Sequence, residues 1–321
     1  MSCLLCLSLP FLVAFFVSII GTKLFIIYCE KNNYLGIDMH KPDKRKVALS
    51  GGVPVLFAII SGIMLYLYLN FDITLVTNLS FSLISLSIIT YVGLLDDFSK
   101  PKGGLSKWQK PLLSVLALIP ILIIPSTKNF ISLPFFLPNI IIYSPIIYSI
   151  FISFVFIGTS NMVNMLAGFN GLEAGLGLIY VVFLGSYAWY FGNMYVTVLS
   201  FVILGALIGF YYFNAFPSKI FPGDSLTYLL GAYIGLVATV GGMEKQAFFV
   251  SIPFFIELLL KLRGKLQEQS FCMVKNNKIF HDGKIYSLPH IFAKFKIFSE
   301  RGVVCNLYLI EIICCSLIWV I

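Results

Sequence analysis

Roughly ten runs of about 20 mostly apolar residues dominate this chain, at approximately 4–28, 52–70, 79–95, 110–126, 139–158, 172–191, 195–214, 226–243, 246–262 and 303–320. At a rise of about 1.5 Å per residue, such a run spans a hydrocarbon core of about 30 Å as an α-helix. The runs are continuous and do not alternate with period two, which excludes the strands of an outer-membrane barrel. An all-α polytopic membrane protein of about ten transmembrane helices is therefore expected. Composition agrees: 59% of the residues are hydrophobic and 11% charged, against about 25% charged in soluble domains. The first run has no cationic start, and its first charge is Lys23, so it reads as a retained anchor rather than a cleaved signal.

The 22 Lys and Arg exceed the 14 Asp and Glu, for a formal charge of +8. A mean hydropathy of +0.95 leaves too little polar surface for a nucleic-acid groove, and topology explains the excess better. If the ten runs cross in turn, the odd-numbered loops share one face and carry 19 of the 22 cations. That asymmetry marks the face as cytoplasmic. The opposite loops, such as 71–78 and 125–138, carry no constellation of reactive groups. No internal repeat is evident, so residues 1–321 read as a single integral-membrane domain. The stretch 263–302 is a cytoplasmic appendage between the ninth and tenth helices, and Phe271–Val274 with Ile279-Phe280 suggest a small β-meander there. The seven cysteines lie mostly in apolar runs and read as packing, not as a disulfide framework.

The informative residues are carboxylates at helix ends on the cationic face, because an ionisable group near hydrocarbon is costly and usually has a function or a partner. Asp96 and Asp97 end the third run, Glu173 begins the sixth, and Asp224 precedes the eighth. Two adjacent aspartates repel, so the pair reads either as a cation site, whose all-oxygen donors suit Mg²⁺ or Mn²⁺, or as a solvated helix end. The fifth loop favours the cation. From Asn161 to Glu173 it holds three Asn and two Gly and no positive charge; Asn carbonyls ligate hard metals, and Gly lets backbone approach a ligand closely. Phe221-Pro222-Gly223-Asp224 sets an aromatic face three residues before a carboxylate, suited to stacking a planar base beside a metal-bound phosphate.

Together, Asn164-Met165-Leu166-Ala167-Gly168-Phe169-Asn170-Gly171-Leu172-Glu173-Ala174-Gly175, the Asp96-Asp97 pair and Phe221 to Asp224 resemble the polyprenyl-phosphate N-acetylhexosamine-1-phosphate transferase superfamily. The chain is most similar to its eukaryotic and archaeal branch, the UDP-N-acetylglucosamine–dolichyl-phosphate N-acetylglucosaminephosphotransferases. The likeness runs in motif order from Asp38-Met39-His40-Lys41 to the basic loop after the ninth helix. It implies a ten-helix fold and a cytoplasmic cleft in which UDP-N-acetylglucosamine and dolichyl or another polyprenyl phosphate give the lipid-diphosphate sugar and UMP, the first step of lipid-linked oligosaccharide assembly for N-glycosylation. It also implies Mg²⁺ dependence, with Mn²⁺ a possible substitute, block by tunicamycin, and a homodimer as in many relatives. The compartment would be the endoplasmic reticulum membrane in a eukaryote or the cell membrane in an archaeon.

By matching motif, the resemblance makes Asn164 and Asp224 metal ligands and Asp96 and Asp97 the catalytic acidic pair. Whether one of that pair removes a proton or both organise cations stays open, since a phosphate monoester is largely dianionic at neutral pH. Gly168, Asn170 and Phe221 match positions that hold the uracil end. Lys110 matches a phosphate-contacting lysine, with Lys107 the competing choice. Arg263 and Lys265 stand where relatives place an Arg-His-Arg cluster, here with Gly264 between them. Leu49 replaces a glutamate common in relatives, so the sugar is less firmly implied than the reaction. His290 has two readings, facing the diphosphate or structural, and His281 reads as a solvated turn. For Glu173, electrostatics at a helix N-terminus is the reading. A bacterial-type transferase using another polyprenyl phosphate is the nearer rival, and a secondary transporter the remoter one, since the polar groups gather at one face and no internal repeat is evident.

Overall fold

The computed structural model describes residues 3–41, 43–99, 104–106, 108–124, 130–131, 140–141, 144–267, 269–275, 278–295 and 298–320. Its helices in chain order are α1 (Cys3–Lys31), α2 (Gly52–Leu69), α3 (Ile73–Ser99), α4 (Gln109–Ile123), α5 (Pro145–Val163) and α6 (Leu172–Tyr190). They continue with α7 (Met194–Asn214), α8 (Gly223–Thr239), α9 (Glu244–Val250), α10 (Ile252–Arg263), α11 (Leu288–Phe295) and α12 (Glu300–Ser316). Three antiparallel strand pairs join them: β1 (Leu35–Ile37) with β2 (Lys46–Ala48), β3 (Phe130–Ile131) with β4 (Ile140–Ile141), and β5 (Met273–Lys275) with β6 (Lys278–Phe280). Among the described residues, seven helices are long and apolar enough to cross a membrane, namely α1, α2, α3, α5, α6, α7 and α12. The chain is thus an integral membrane protein.

Helix α8 is the axis of the fold. Every residue from Asp224 to Thr239 is buried, as expected for a helix that is apolar all round. It packs against α3 and α5, while α1 lies along α2 and α7. Its first turn is approached by backbone rather than by side chains: a Cβ on Gly93 of α3 would stand 2.4 Å from the Asp224 carbonyl oxygen, and one on Gly52 of α2 would stand 2.4 Å from the Ser225 carbonyl carbon. Small residues at such crossings let helices close in without intervening side chains, as in membrane bundles generally. The start of α2, the end of α3 and the start of α8 are thereby brought together.

Three details depart from the sequence expectation. The run at 139–158 begins as helix only at Pro145, because Ile140 and Ile141 pair in β4. The ninth run divides at Ser251, which closes α9 and opens α10; Pro253 has no amide hydrogen and suits the first turn of a new helix. Among the described residues, the expected meander in 263–302 is the hairpin β5–β6 with an antiparallel bridge from Ile279 to Phe298, and the unforeseen α11 lies between them; Asn276 and Asn277 lie outside the described residues. Glu257 of α10 fastens this segment: it accepts from Ser287 Oγ (2.7 Å), Leu288 N (2.7 Å) and Ser270 Oγ (3.3 Å).

Candidate active site

Asp97 and Asp96 are consecutive, and about 100° of helix rotation sends them to different partners. Asp97 faces the start of α8. Its Oδ1 accepts from Asp224 N (2.9 Å), and its Oδ2 accepts from Ser50 Oγ (3.0 Å) and Ser225 N (3.3 Å). A carboxylate is thus placed on the unsatisfied amides of a helix N-terminus, where both hydrogen bonding and the helix dipole favour it. Gly223 allows the approach: its φ is +66°, and a Cβ there would lie 2.3 Å from Asp97 Oδ2.

Asp96 faces Lys110 and the chain beyond α3 instead. Its Oδ2 pairs with Lys110 Nζ at 2.7 Å and its Oδ1 accepts from Leu105 N at 2.6 Å. Lys110 also reaches Asp224 Oδ2 at 3.0 Å, so one ammonium bridges carboxylates from α3 and α8. Asn164, at the end of α5, donates Nδ2–H to the same Asp224 oxygen (3.0 Å) and accepts from Thr227 Oγ1 (2.8 Å) through Oδ1. Asp96, Asp97 and Asp224 are 1%, 3% and 7% exposed; Lys107 lies outside the described residues.

The same cluster can hold a hard divalent cation. Turning the Asn164 amide by 180° sets Oδ1 beside Asp224 and Nδ2 against Thr227 Oγ1, a hydroxyl that accepts as readily as it donates. The side chains that then face Lys110 present oxygen alone, the donor type Mg²⁺ and Mn²⁺ take.

A second wall is built on the loop between α1 and α2. Phe221 donates its amide to Ala48 O (2.8 Å) and accepts from Gly51 N (3.0 Å), leaving its ring half-exposed. Asn170 donates Nδ2–H to Asp38 Oδ2 (3.0 Å) and its amide to Glu300 Oε1 (2.9 Å). Glu300 also pairs with Lys41, and Arg45 with Asp38 at 3.3 Å. Phe169 stacks on His40 at 4.2 Å between ring centres, and Phe271 packs against both His40 and Gly168, whose φ is +114°. Burial lowers the pKa of His40 to about 4, so its ring is neutral at pH 7 and its Nε2 accepts from Cys272 N (3.2 Å). Glu173 Oε1 accepts from Gly168 N (2.8 Å), in keeping with a supporting role at the start of α6.

The structure therefore joins Asp96, Asp97, Lys110, Asn164 and Asp224 in one cluster, and Gly168, Asn170 and Phe221 on loops tied to the first hairpin. It does not bring in the remaining three by any described contact. Arg263 is exposed, donating to Ile285 O (3.1 Å) and lying over the Tyr286 ring. Lys265 is exposed. His290 is buried against His281, its ring centroid 3.9 Å away. Glu300, which holds both Asn170 and Lys41, was missed from sequence; its one signal is a carboxylate directly after Ser299, an N-cap serine.

Buried carboxylates bridged by a lysine at helix ends, beside a loop wall with a half-exposed aromatic ring, mark a cation-assisted active site in a membrane protein. Comparison with known proteins gives the family. Residues 79–242 match the model of glycosyl transferase family 4. The chain is 33% identical over 97% of its length to a protein of Saccharolobus solfataricus provisionally named a UDP-N-acetylglucosamine–dolichyl-phosphate N-acetylglucosaminephosphotransferase, covering 95% of that relative. It is 32% identical, over 97% of its length and 94% of the relative, to a protein of the same name from Sulfolobus acidocaldarius. A phospho-N-acetylmuramoyl-pentapeptide-transferase of Listeria welshimeri is 31% identical over 84% of the chain and 85% of that enzyme. The chain belongs to glycosyl transferase family 4 and is a glycosyl-1-phosphate transferase.

Proposed function

We propose that the protein transfers N-acetylglucosamine 1-phosphate from UDP-N-acetylglucosamine to dolichyl or another polyprenyl phosphate and releases UMP. The observation that carries this reading is the meeting of Asp96, Asp224 and Asn164 around Lys110. An oxygen of the lipid phosphate bonds to the sugar-bearing phosphorus, and the bond from that phosphorus to the bridging oxygen breaks, so UMP departs with the electron pair. Two anions must meet, and Lys110 supplies positive charge where they do so. Mg²⁺, held by Asp224 and Asn164 with Asp96 beside them, would neutralise diphosphate charge and stabilise the leaving phosphate. Asp97 keeps the start of α8, and with it Asp224, in place. Phe221 offers its half-exposed ring to the uracil, while Gly168 and Asn170 shape the loop around it. Arg263 and Lys265 would contact the sugar and diphosphate in this reading, which requires the basic segment to move toward the cluster.

In the same reading the chain is a single domain with ten crossings. The seven long helices are joined by α4, by α8, and by α9 and α10 acting as one broken span. The site then faces the cytoplasm, because the loops around it carry most of the cations. The test is UMP release by purified protein with Mg²⁺. Release from UDP-N-acetylglucosamine only when a polyprenyl phosphate is present is the expected result. No UMP with any UDP-N-acetylhexosamine and polyprenyl phosphate would sink the proposal, and release only with UDP-N-acetylmuramoyl-pentapeptide would move it to the activity named for the Listeria relative.

A further inference from the structure

A second cluster of ligating side chains lies in the segment between α10 and α12, apart from the carboxylates. Cys272, just before β5, His281, just after β6, and His290 in α11 each offer one ligand atom, and these atoms all lie within 4.8 Å of one another. Three separate pieces of the segment thus converge on one point. We propose that Cys272, His281 and His290 bind a zinc ion that fastens this segment against the active-site loop.

The donor set is one sulfur and two imidazoles, which suits Zn²⁺ and not Mg²⁺. His281 Nε2 lies 2.9 Å from the Lys284 carbonyl oxygen. Donation of the ring proton there leaves Nδ1 with its lone pair, the outer-sphere arrangement usual for metal-bound histidine. His290 is 2% exposed, and its Nε2 is buried with no hydrogen-bond partner among the described residues, a costly state that a metal bond would relieve. Burial pushes the Cys272 thiol up to about 12 and His290 down to about 4, so both are neutral at pH 7. Loading therefore releases the thiol proton to solvent as the Zn–S bond forms. Bond lengths of about 2.3 Å to sulfur and about 2.0 Å to nitrogen require the ligand atoms to draw in by about 1 Å. They also require the two stacked rings to tilt apart and the long Tyr286 N contact to His290 Nδ1 (3.3 Å) to open. His281 is half-exposed, which gives the ion its entry and leaves room for water at the fourth position.

The consequence reaches the cleft. The Cys272 amide is bonded to His40 and Phe271 packs on His40 and Gly168, so fixing Cys272 fixes the cover of the loop from Gly168 to Asn170.

The probe is Co²⁺, added to chelator-stripped, full-length protein in detergent with excess Mg²⁺ to saturate the oxygen site. About one equivalent should give a thiolate-to-cobalt charge-transfer band and tetrahedral visible bands, and Zn²⁺ should abolish both. Cys272→Ser should remove the charge-transfer band. His281→Ala, at a half-exposed position, should weaken binding at least tenfold with an unchanged melting temperature in metal-free protein, whereas Asp224→Asn should leave the band intact. Absence of a thiolate band in the wild type, or its persistence in Cys272→Ser, would overturn the proposal.

Discussion

Replacing Asp97 by Asn tests whether the second aspartate positions the site or takes part in the chemistry. The carboxylate accepts three hydrogen bonds, two of them from the first amides of α8. An amide of the same shape offers one acceptor oxygen. If that oxygen keeps the Asp224 amide, the new NH₂ group meets the Ser225 amide donor to donor, while Ser50 can rotate to accept. One charge-assisted bond, worth about 1.5–3 kcal/mol, is lost, and two others fall to neutral strength near 1 kcal/mol. The total is about 2.5–7 kcal/mol, roughly 10²-fold or more in favour of a displaced helix start. Asp97→Asn should therefore lower the melting temperature in detergent and UMP release together. Asp224→Asn should abolish release yet melt close to the wild type, because the backbone amide that Asp97 holds is unchanged. An Asp97→Asn protein that melts like the wild type but is inactive would refute the positioning argument and return Asp97 to the chemistry.

Lys110→Gln leaves Asp96 and Asp224 facing each other without their shared cation; turnover should fall by about 10²–10³-fold, and raising Mg²⁺ should recover part of it. Gly223→Ala should fail in both folding yield and activity, since the left-handed backbone costs about 1–2 kcal/mol and the added Cβ meets Asp97 Oδ2 at 2.3 Å. Glu300→Gln keeps an oxygen for the Asn170 amide but loses the Lys41 pair; KM for the nucleotide sugar should rise about tenfold, equivalent to about 1.4 kcal/mol, with kcat little changed in steady-state kinetics.

Helices such as α2, α6 and α7 could be read almost to the residue, because an uninterrupted apolar run has no cheaper state in a bilayer than a helix with all its backbone bonds internal. Where polar residues belong to a helix, hydropathy shortened it. The third run was read as 79–95, yet α3 spans Ile73 to Ser99, because Thr77 and Ser99 return their hydroxyls to the Ile73 and Leu95 carbonyls (2.8 and 2.6 Å). Conversely, apolar Ile140 and Ile141 extended the fifth run into what is a strand, since a pair of isoleucines fits either state. At the site, the gathering of Asp96, Asp97, Asn164 and Asp224 was legible from three separated motifs. The division of labour between the adjacent aspartates was not, because it depends on which face of α3 meets α8. Glu300 was illegible for a related reason: its partners, Lys41 and Asn170, are 259 and 130 residues away.

That same glutamate joins the loop wall to the membrane part of the fold. It is the first residue of a helix that crosses the bilayer, and it grips both Asn170 and Lys41. Crossing helices tilt to match the local thickness of the hydrocarbon, and a tilt of α12 would swing its first residue and pull on the nucleotide wall. In the proposed reading, lipid chain length would then act on nucleotide affinity through a single buried carboxylate.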